Sequence, residues 1–325
     1  MIAIDTKHVE SVIDKMKTVI EAKLSSIKTD LQEFKDDDEQ LFTAKESEYL
    51  DKLYTNFESI VMARPNNLAV YKHQMGELLA ESTVKRNNMP SFSNRLVSIL
   101  DYSGLRSSLY PEYFRKIGIK ACVYCNAQLT VVIDKRIELK TKTKIITKAK
   151  FQVDHYWPKS LYPCFSISFF NLYPVCASCN NAKSNSIVPF SLYSDDLSEL
   201  SESRFKFSLE KGCVAKYIAS RKSDNLKIKF EEPKVNKGEK GFQRTFGIHG
   251  IYDTQKDLVE ELILKAETYT DSYKAFLQKE FSGIFSNASL SNRLIIGNYG
   301  EPNEMHKRPM SKFTQDIARQ LKLID

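Results

Sequence analysis

Four cysteines form two closely spaced pairs, Cys122 with Cys125 and Cys176 with Cys179, and each pair has the spacing C-x-x-C. Four thiolates from two such pairs can surround Zn²⁺ in the tetrahedral geometry that this ion prefers. A site with four cysteine ligands has no open coordination position, so we expect it to stabilise the fold rather than to catalyse a reaction. A redox role for either pair is the alternative interpretation.

The segment between the two pairs contains an adjacent aspartate and histidine, Asp154 and His155. Neighbouring residues of a strand point to opposite faces, so a bend would be needed to bring both side chains to one site. A neutral imidazole can accept a proton from water near pH 7, and a carboxylate is a good ligand for a hard cation such as Mg²⁺. Together these groups predict hydrolysis of a phosphodiester; a histidine with a purely structural role is the alternative.

The net charge of +7 is concentrated around the cysteine pairs. Residues 121–190 carry 9 lysines and arginines against 3 acidic residues, whereas residues 1–120 carry 17 against 18. Most of the cations of the basic segment lie between Lys135 and Lys150. This cluster predicts a polyanionic partner, because neutralising phosphates releases counterions and drives association. A solvated basic loop without a partner is the alternative.

Length and composition predict a cytoplasmic enzyme with more than one core. The 325 residues are 42% hydrophobic, which is enough apolar material for two cores. Cys164 and Cys213 are isolated, so the cysteine pattern indicates metal binding with two spare thiols rather than a disulfide framework. The sequence has neither a basic-then-apolar leader nor an apolar run of 18 residues, which disfavours secretion and membrane insertion.

Residues 1–110 are predicted to form an all-α region. Apolar residues spaced by three and four over Val9–Phe34 predict one helix of roughly 30 residues, which either packs on its own domain or forms a coiled coil. A second helix should end before Pro65, and two shorter helices are predicted over 67–82 and 92–104.

The remaining two thirds mix short strands with helices, so the chain is assigned to the α+β class. Residues 111–195 form the predicted central module, with a lysine-rich hairpin over 128–155, a strand over Phe165–Phe170 and a short helix over Cys176–Ser184. Residues 196–325 are predicted to be mainly helical. Their predicted elements are strands over Phe205–Leu209 and Leu226–Phe230 and helices over Asp257–Phe281 and Met310–Leu323.

The order of these motifs resembles the HNH endonucleases, the ββα-metal nucleases with a zinc knuckle. The resemblance covers about residues 120–190. It consists of the first cysteine pair, Asp154-His155-Tyr-Trp-Pro158-Lys159-Ser160, and Asn171-Leu-Tyr-Pro-Val-Cys176-Ala-Ser-Cys179-Asn180-Asn-Ala-Lys183. It implies a zinc-stapled ββα-metal HNH module between the two flanking regions.

The resemblance also implies a role for each residue of the motif. His155 would be the general base that activates water, and Asn171 would hold the loop that orients it. Asp154 and Asn180 would bind the catalytic divalent ion, with Asn181 as the alternative to Asn180. An asparagine at this position favours Mg²⁺ or Mn²⁺ over a softer ion.

Lysines are the expected contacts to the substrate. Lys183 would bind a phosphate, and Lys159 would either do the same or only cap the bend at Pro158. Three lysines of the predicted hairpin would also bind nucleic acid: Lys142, Lys144 and Lys148.

The predicted function is therefore a metal-dependent DNA endonuclease that carries structural Zn²⁺ and catalytic Mg²⁺ or Mn²⁺. Phosphate contacts alone do not distinguish DNA from RNA, so an RNA-cleaving HNH toxin or effector is one alternative. A non-catalytic, zinc-dependent nucleic-acid-binding module is the other.

The last third also resembles the tails of bacterial HNH proteins of anti-phage defence loci, of the Septu and retron-associated type. The likeness rests on Phe246–Tyr252, Asn292–Asn298 and Lys307–Pro309. It implies an antiviral effector with an SMC-like or AAA-type ATPase as partner. The N-terminal helices could dock that partner or form a homo-oligomer.

Overall fold

A computed structural model gives the fold and describes residues 1–78, 82, 84, 89–138, 143–285 and 287–324. Helices predominate among these residues, and the strands pair into small two-stranded sheets. This mixture confirms the predicted α+β class. Within the same residues, every helix is too short or too polar to span a lipid bilayer.

The described part of the N-terminal region is mainly helical and begins with a two-residue strand, β1 (Ile4–Asp5). Its helices are α1 (Thr6–Lys15), α2 (Lys17–Asp36), α3 (Ala44–Val61), α4 (Pro65–Met75), α5 (Phe92–Ile99) and α6 (Tyr102–Ile117). The single long helix predicted over Val9–Phe34 is wrong, because the backbone leaves helical geometry at Met16, with φ −107° and ψ 6°. The apolar stripe of α2 is buried against α3 within the same chain.

The predicted lysine-rich hairpin is confirmed as an antiparallel pair, β2 (Val131–Glu138) and β3 (Thr143–Lys150). The side chains of Lys144 and Lys148 are exposed on it. Lys142, also predicted to bind nucleic acid, lies outside the described residues.

A strand–strand–helix unit follows the hairpin: β4 (Gln152–His155), β5 (Leu172–Val175) and α7 (Ala177–Lys183). The short helix predicted after the second cysteine pair is thus confirmed. The strand predicted over Phe165–Phe170 is wrong. That apolar run folds into buried 3₁₀ turns, because Ser166 N–H and Asn171 N–H donate to carbonyls three residues earlier in the chain rather than to a neighbouring strand.

The C-terminal region is mainly helical, as predicted, with both predicted strands present and antiparallel to each other. The central module ends with β6 (Tyr193–Ser194). The elements of the C-terminal region are α8 (Leu197–Ser201), β7 (Lys206–Leu209), α9 (Cys213–Ser220), β8 (Ile228–Glu231), α10 (Phe242–Phe246), α11 (Ile248–Asp253), α12 (Lys256–Thr268), α13 (Asp271–Glu280), α14 (Ser282–Phe285), α15 (Ala288–Ile296) and α16 (Ser311–Gln320). The helix predicted over Asp257–Phe281 is divided, because the Thr270 side chain accepts a hydrogen bond from Tyr273 N–H and starts α13.

Apart from Ala121 and Leu277, the buried apolar side chains of the described residues form one contiguous cluster that extends from Met1 to Ile324. All three predicted regions contribute to it, and α6 continues through the predicted start of the central module at residue 111. β1 also pairs with β6 in parallel, which joins the beginning of the chain to the end of that module. The described parts of the three predicted regions therefore share one core, where composition had predicted two.

Candidate metal centre and active site

The two cysteine pairs meet in the core. Cys122, Cys125, Cys176 and Cys179 are all buried, and their sulfur atoms lie within 4.8 Å of one another. The Sγ atoms of Cys125 and Cys176 are 4.0 Å apart. Tetrahedral zinc with Zn–S bonds of about 2.3 Å would place its sulfurs about 3.8 Å apart. The four cysteines could therefore bind a metal ion such as zinc.

Backbone N–H groups point at these sulfurs. The N–H of Cys176 donates to Cys122 Sγ at 3.3 Å, and that of Ala127 donates to Cys125 Sγ at 3.4 Å. Such donors stabilise thiolates, and a cation is what allows several of them to remain charged together in a buried site.

The C-terminal region packs directly on this cluster, a contact that the sequence did not predict. Asn126 has a left-handed backbone with φ 53° and is completely buried. Its amide donates to Met305 O at 3.1 Å and accepts from Lys312 N–H at 3.0 Å. The Tyr252 hydroxyl donates to Cys125 O at 2.7 Å. The only sequence signal was an asparagine directly after a C-x-x-C pair, since asparagine tolerates this backbone conformation.

Asp154 and His155 follow one another in β4, and the expected bend between them is absent, since both residues pair in register with β5. The Asp154 carboxylate accepts a hydrogen bond from the Tyr124 hydroxyl at 2.6 Å. It also contacts the Lys183 ammonium at 3.2 and 3.3 Å. The His155 ring contacts other groups, so the two side chains lie in separate surroundings.

Lys183 was predicted to bind a phosphate, and the structure contradicts this. Its side chain is 0% exposed. The ammonium donates to His155 O at 2.7 Å and pairs with Asp154. Burial raises the pKa of Asp154 and lowers the pKa of Lys183, and the attraction between the two charges offsets only part of each effect. A buried charge requires a partner, and each of these residues is the partner of the other.

His155 is buried and held in one orientation. Its Nε2 lies 2.9 Å from Ser166 O, and its ring centroid lies 4.8 Å from that of Tyr102. A carbonyl can only accept, so Nε2 carries the proton and Nδ1 of the neutral ring remains a base. Burial, followed by the positive charge of Lys159, lowers the pKa of His155 to about 3. The imidazole is therefore neutral at pH 7.

Asn171 fixes the loop that holds the His155 ring. Its side chain is completely buried, accepts from Trp157 N–H at 2.7 Å and donates to Phe165 O at 2.9 Å. Phe165 directly precedes Ser166, whose carbonyl contacts His155. The Asn171 side chain therefore links the segment around Trp157 to the segment around Phe165.

Asn180 lies on α7, which packs against β4. Its side chain is half-buried, and among the described residues its amide has no hydrogen-bond partner. Asn181, the alternative, is exposed. The Asn180 amide thus remains open to a ligand, unlike the Asp154 carboxylate.

Two cations and an aromatic ring surround His155, and only one of the three was predicted. Half-buried Lys159 places its Nζ 4.0 Å from the Tyr102 ring centroid. Arg106 donates to Gln152 Oε1 at 2.6 Å, and its charge also lowers the pKa of His155. Arg106 and Tyr102 both come from α6, in the region that was predicted to lie outside the module. No spacing in the sequence connects them with the Asp-His motif.

Replacing Lys183 with methionine is expected to lower the free energy of unfolding by about 3 to 5 kcal/mol, because Asp154 would stay buried without its partner. In the double variant with Asp154→Asn no charge is left uncompensated. Its cost should therefore be smaller than the sum of the two single costs. Urea unfolding of the wild type, both single variants and the double variant measures this coupling.

Lys17→Met is the matched control, since Lys17 and Glu21 form an ion pair with side chains 68% and 63% exposed. Its loss should leave stability nearly unchanged. Strictly additive costs for Lys183→Met and Asp154→Asn would contradict the coupling inferred from the geometry.

Comparison of the chain with models of known protein families, with curated proteins and with solved structures found no match.

Proposed function

We propose that this chain is a metal-dependent endonuclease of the HNH type that hydrolyses phosphodiester bonds of DNA. The observation that carries the proposal is His155, a neutral imidazole fixed by Ser166 O, with Nδ1 available as a base. It lies in a strand–strand–helix unit directly beside the four-cysteine cluster. We assign that cluster to structural Zn²⁺, because four cysteine ligands leave no position for a substrate.

The residues around His155 suit the hydrolysis of a phosphodiester. His155 Nδ1 would take a proton from the attacking water. Burial keeps the ring neutral at pH 7 and, because it lowers the pKa to about 3, also makes His155 a weaker base than an ordinary histidine. Lys159 and Arg106 would hold the non-bridging oxygens of the phosphate. Among the described residues neither cation has a carboxylate partner, so both charges are available to an anion. Asn171 acts indirectly, by keeping the Ser166 carbonyl in place.

Asp154 and Asn180 offer the oxygen donors that a hard cation prefers. Their arrangement fits such an ion only in part. The Asn180 amide is open, whereas the Asp154 carboxylate accepts from the Tyr124 hydroxyl and pairs with Lys183, so a cation at Asp154 would have to displace the Lys183 ammonium. When bound, Mg²⁺ or Mn²⁺ would neutralise charge that develops on the phosphate and on the leaving oxygen.

The second candidate is a non-catalytic, zinc-dependent module that binds nucleic acid. Two observations favour it: Lys183 already compensates the Asp154 charge, and β4 holds Asp154 and His155 in separate surroundings. A role as an antiviral effector, with an ATPase partner, stays a prediction from the resemblance of the last third.

Incubating the purified chain with labelled duplex DNA and RNA of one sequence tests the proposal. We expect cleavage of DNA that requires added Mg²⁺ or Mn²⁺, stops in EDTA and leaves 5′-phosphate ends. Faster cleavage of RNA would assign the chain to the ribonuclease alternative. Binding of both nucleic acids without cleavage, under any of these cations, would favour the non-catalytic module.

A further inference from the structure

The β2–β3 hairpin concentrates its lysines on one face. Residues that lie directly opposite each other, and residues two apart in a strand, share a face of a sheet. The register pairs Lys135 with Ile146, Ile137 with Lys144, Ile133 with Lys148 and Val131 with Lys150. One face, here called the lysine face, therefore carries Lys135, Lys144, Lys148 and Lys150, with aliphatic side chains between them.

The opposite face of the hairpin anchors it to the protein. Arg115 of α6 forms an ion pair with Asp134 at 2.6 Å, and Thr147 donates to the same carboxylate at 2.9 Å. Val132 and Ala149, near the base of the hairpin, pack against the core. The base of this face is therefore attached to α6 and the core, while its outer part, with Arg136 and Ile145, is exposed. Among the described residues, the lysine face has no such attachment to the core along its length.

All four lysines of the lysine face are exposed. Within the described part of the chain, none of them has a carboxylate in ion-pair range, whereas Asp134 on the opposite face is paired. Four adjacent cations without counter-charges attract a polyanion, since each phosphate they neutralise releases a counterion. The aliphatic side chains between them are suited to apolar contacts rather than to solvent.

The shape of the hairpin fits duplex DNA better than it fits other nucleic acids. Its two eight-residue strands would extend about 26 Å, and the paired strands lie about 4.8 Å apart. A two-stranded ribbon fits the major groove of B-form DNA, which is about 12 Å wide and exposes thymine methyl groups. The major groove of A-form RNA is too deep and narrow for it, and a single strand has no groove.

We propose that the β2–β3 hairpin is a ribbon that binds in the major groove of B-form duplex DNA through the lysine face. This inference rests on the proposed function and narrows its substrate to the double helix. Only Phe151 separates β3 from β4, the strand that carries His155. A duplex held by the hairpin is thus held by a segment that is continuous with the candidate catalytic strand.

Binding is best measured with the full-length His155→Ala chain, without added divalent ions, so that no DNA is cut. Fluorescence anisotropy would compare duplex DNA, duplex RNA and single-stranded DNA of one sequence. We expect duplex DNA to bind at least about tenfold more tightly than the other two. The logarithm of the binding constant should fall linearly with the logarithm of the salt concentration. Lys148→Gln should reduce the magnitude of this slope by about 0.9, and the double variant Lys144→Gln with Lys148→Gln should reduce it by about twice as much.

Arg136→Gln is the matched control, because Arg136 pairs with Ile145 on the opposite face of the same hairpin. It removes the same charge but should change affinity less than twofold. Equal weakening by Arg136→Gln and Lys148→Gln would overturn the inference, as would equal affinity for duplex RNA or for vesicles of anionic lipid. Thermal melting of each variant verifies that it folds.

The binding assay separates this inference from the proposed function. If the wild-type chain cuts no nucleic acid but the lysine-face variants bind duplex DNA more weakly than it does, the proposed nuclease activity is wrong and the proposed role of the hairpin is retained. If the wild-type chain cuts DNA, and Lys144→Gln and Lys148→Gln leave both binding and cutting unchanged, only the proposed role of the hairpin is wrong.

Discussion

Replacing Cys176 with serine is expected to abolish metal binding and to unfold or strongly destabilise the whole chain. Zinc binding by four cysteines contributes about 10 to 16 kcal/mol to folding near neutral pH. The net stability of a folded domain is only about 5 to 15 kcal/mol. The cluster lies in the core, because Cys122 and Cys125 are at most 1% exposed. The C-terminal region binds the same segment, since the Tyr252 hydroxyl donates to Cys125 O and Lys312 N–H donates to the Asn126 side chain. Loss of the metal should therefore destabilise the C-terminal region as well.

Cys213→Ser is the control, since Cys213 is a buried cysteine outside the cluster. Elemental analysis of purified wild type should find about one zinc per chain, retained in Cys213→Ser and lost in Cys176→Ser. Thermal melting should show a large decrease for Cys176→Ser only. A Cys176→Ser chain that melts like the wild type, and contains no metal, would contradict a structural metal site.

The sequence predicted those parts of the molecule that depend on local spacing. The C-x-x-C pairs predicted the cysteine cluster because each pair is a local turn, and the alternation of residues around Ile133 and Ile145 predicted the hairpin. The short helix after Cys176 was also predicted, from the segment that directly follows the second cysteine pair. A positioning role for Asn171 stays a prediction from the resemblance, and the structure shows that its side chain binds the backbone of Trp157 and Phe165.

What the sequence could not predict depends on contacts between distant segments. Tyr102 contacts the His155 ring, and Arg106 contacts Gln152 of the same strand, only because α6 lies beside β4, a contact that no spacing along the chain records. Lys183 has the type and position of a phosphate ligand, yet it is buried against Asp154, because a buried carboxylate requires a counter-charge. Residue type alone does not distinguish these two uses of a lysine.

Replacing His155 with glutamine is expected to reduce DNA cleavage by about 10² to 10⁴, the usual contribution of a general base. Glutamine can still donate a hydrogen bond to Ser166 O, as His155 Nε2 does, but its side chain cannot accept a proton from water. His155→Ala removes both functions. If His155 is the base, the two variants should be equally slow, and both should keep the zinc content of the wild type. If His155 only holds the loop, His155→Gln should cut nearly as fast as the wild type.

The pH dependence of cleavage provides a second test of the same residue. Burial and nearby cations lower the pKa of His155 to about 3, so its neutral, proton-accepting form persists as the pH falls through 6.5. Protonation of this residue should therefore slow cleavage only in strong acid, whereas an ordinary histidine would already do so near pH 6.5. Tyr102→Phe is the control, since it keeps the ring beside His155 and removes only the hydroxyl that donates to Val153 O at 3.2 Å. It should leave both the rate and the pH profile unchanged. Two results together would contradict this role: a wild-type rate that falls with an apparent pKa near 6.5, and a His155→Gln variant that still cuts but no longer shows that fall. His155 would then titrate near pH 6.5 and would not be a buried general base.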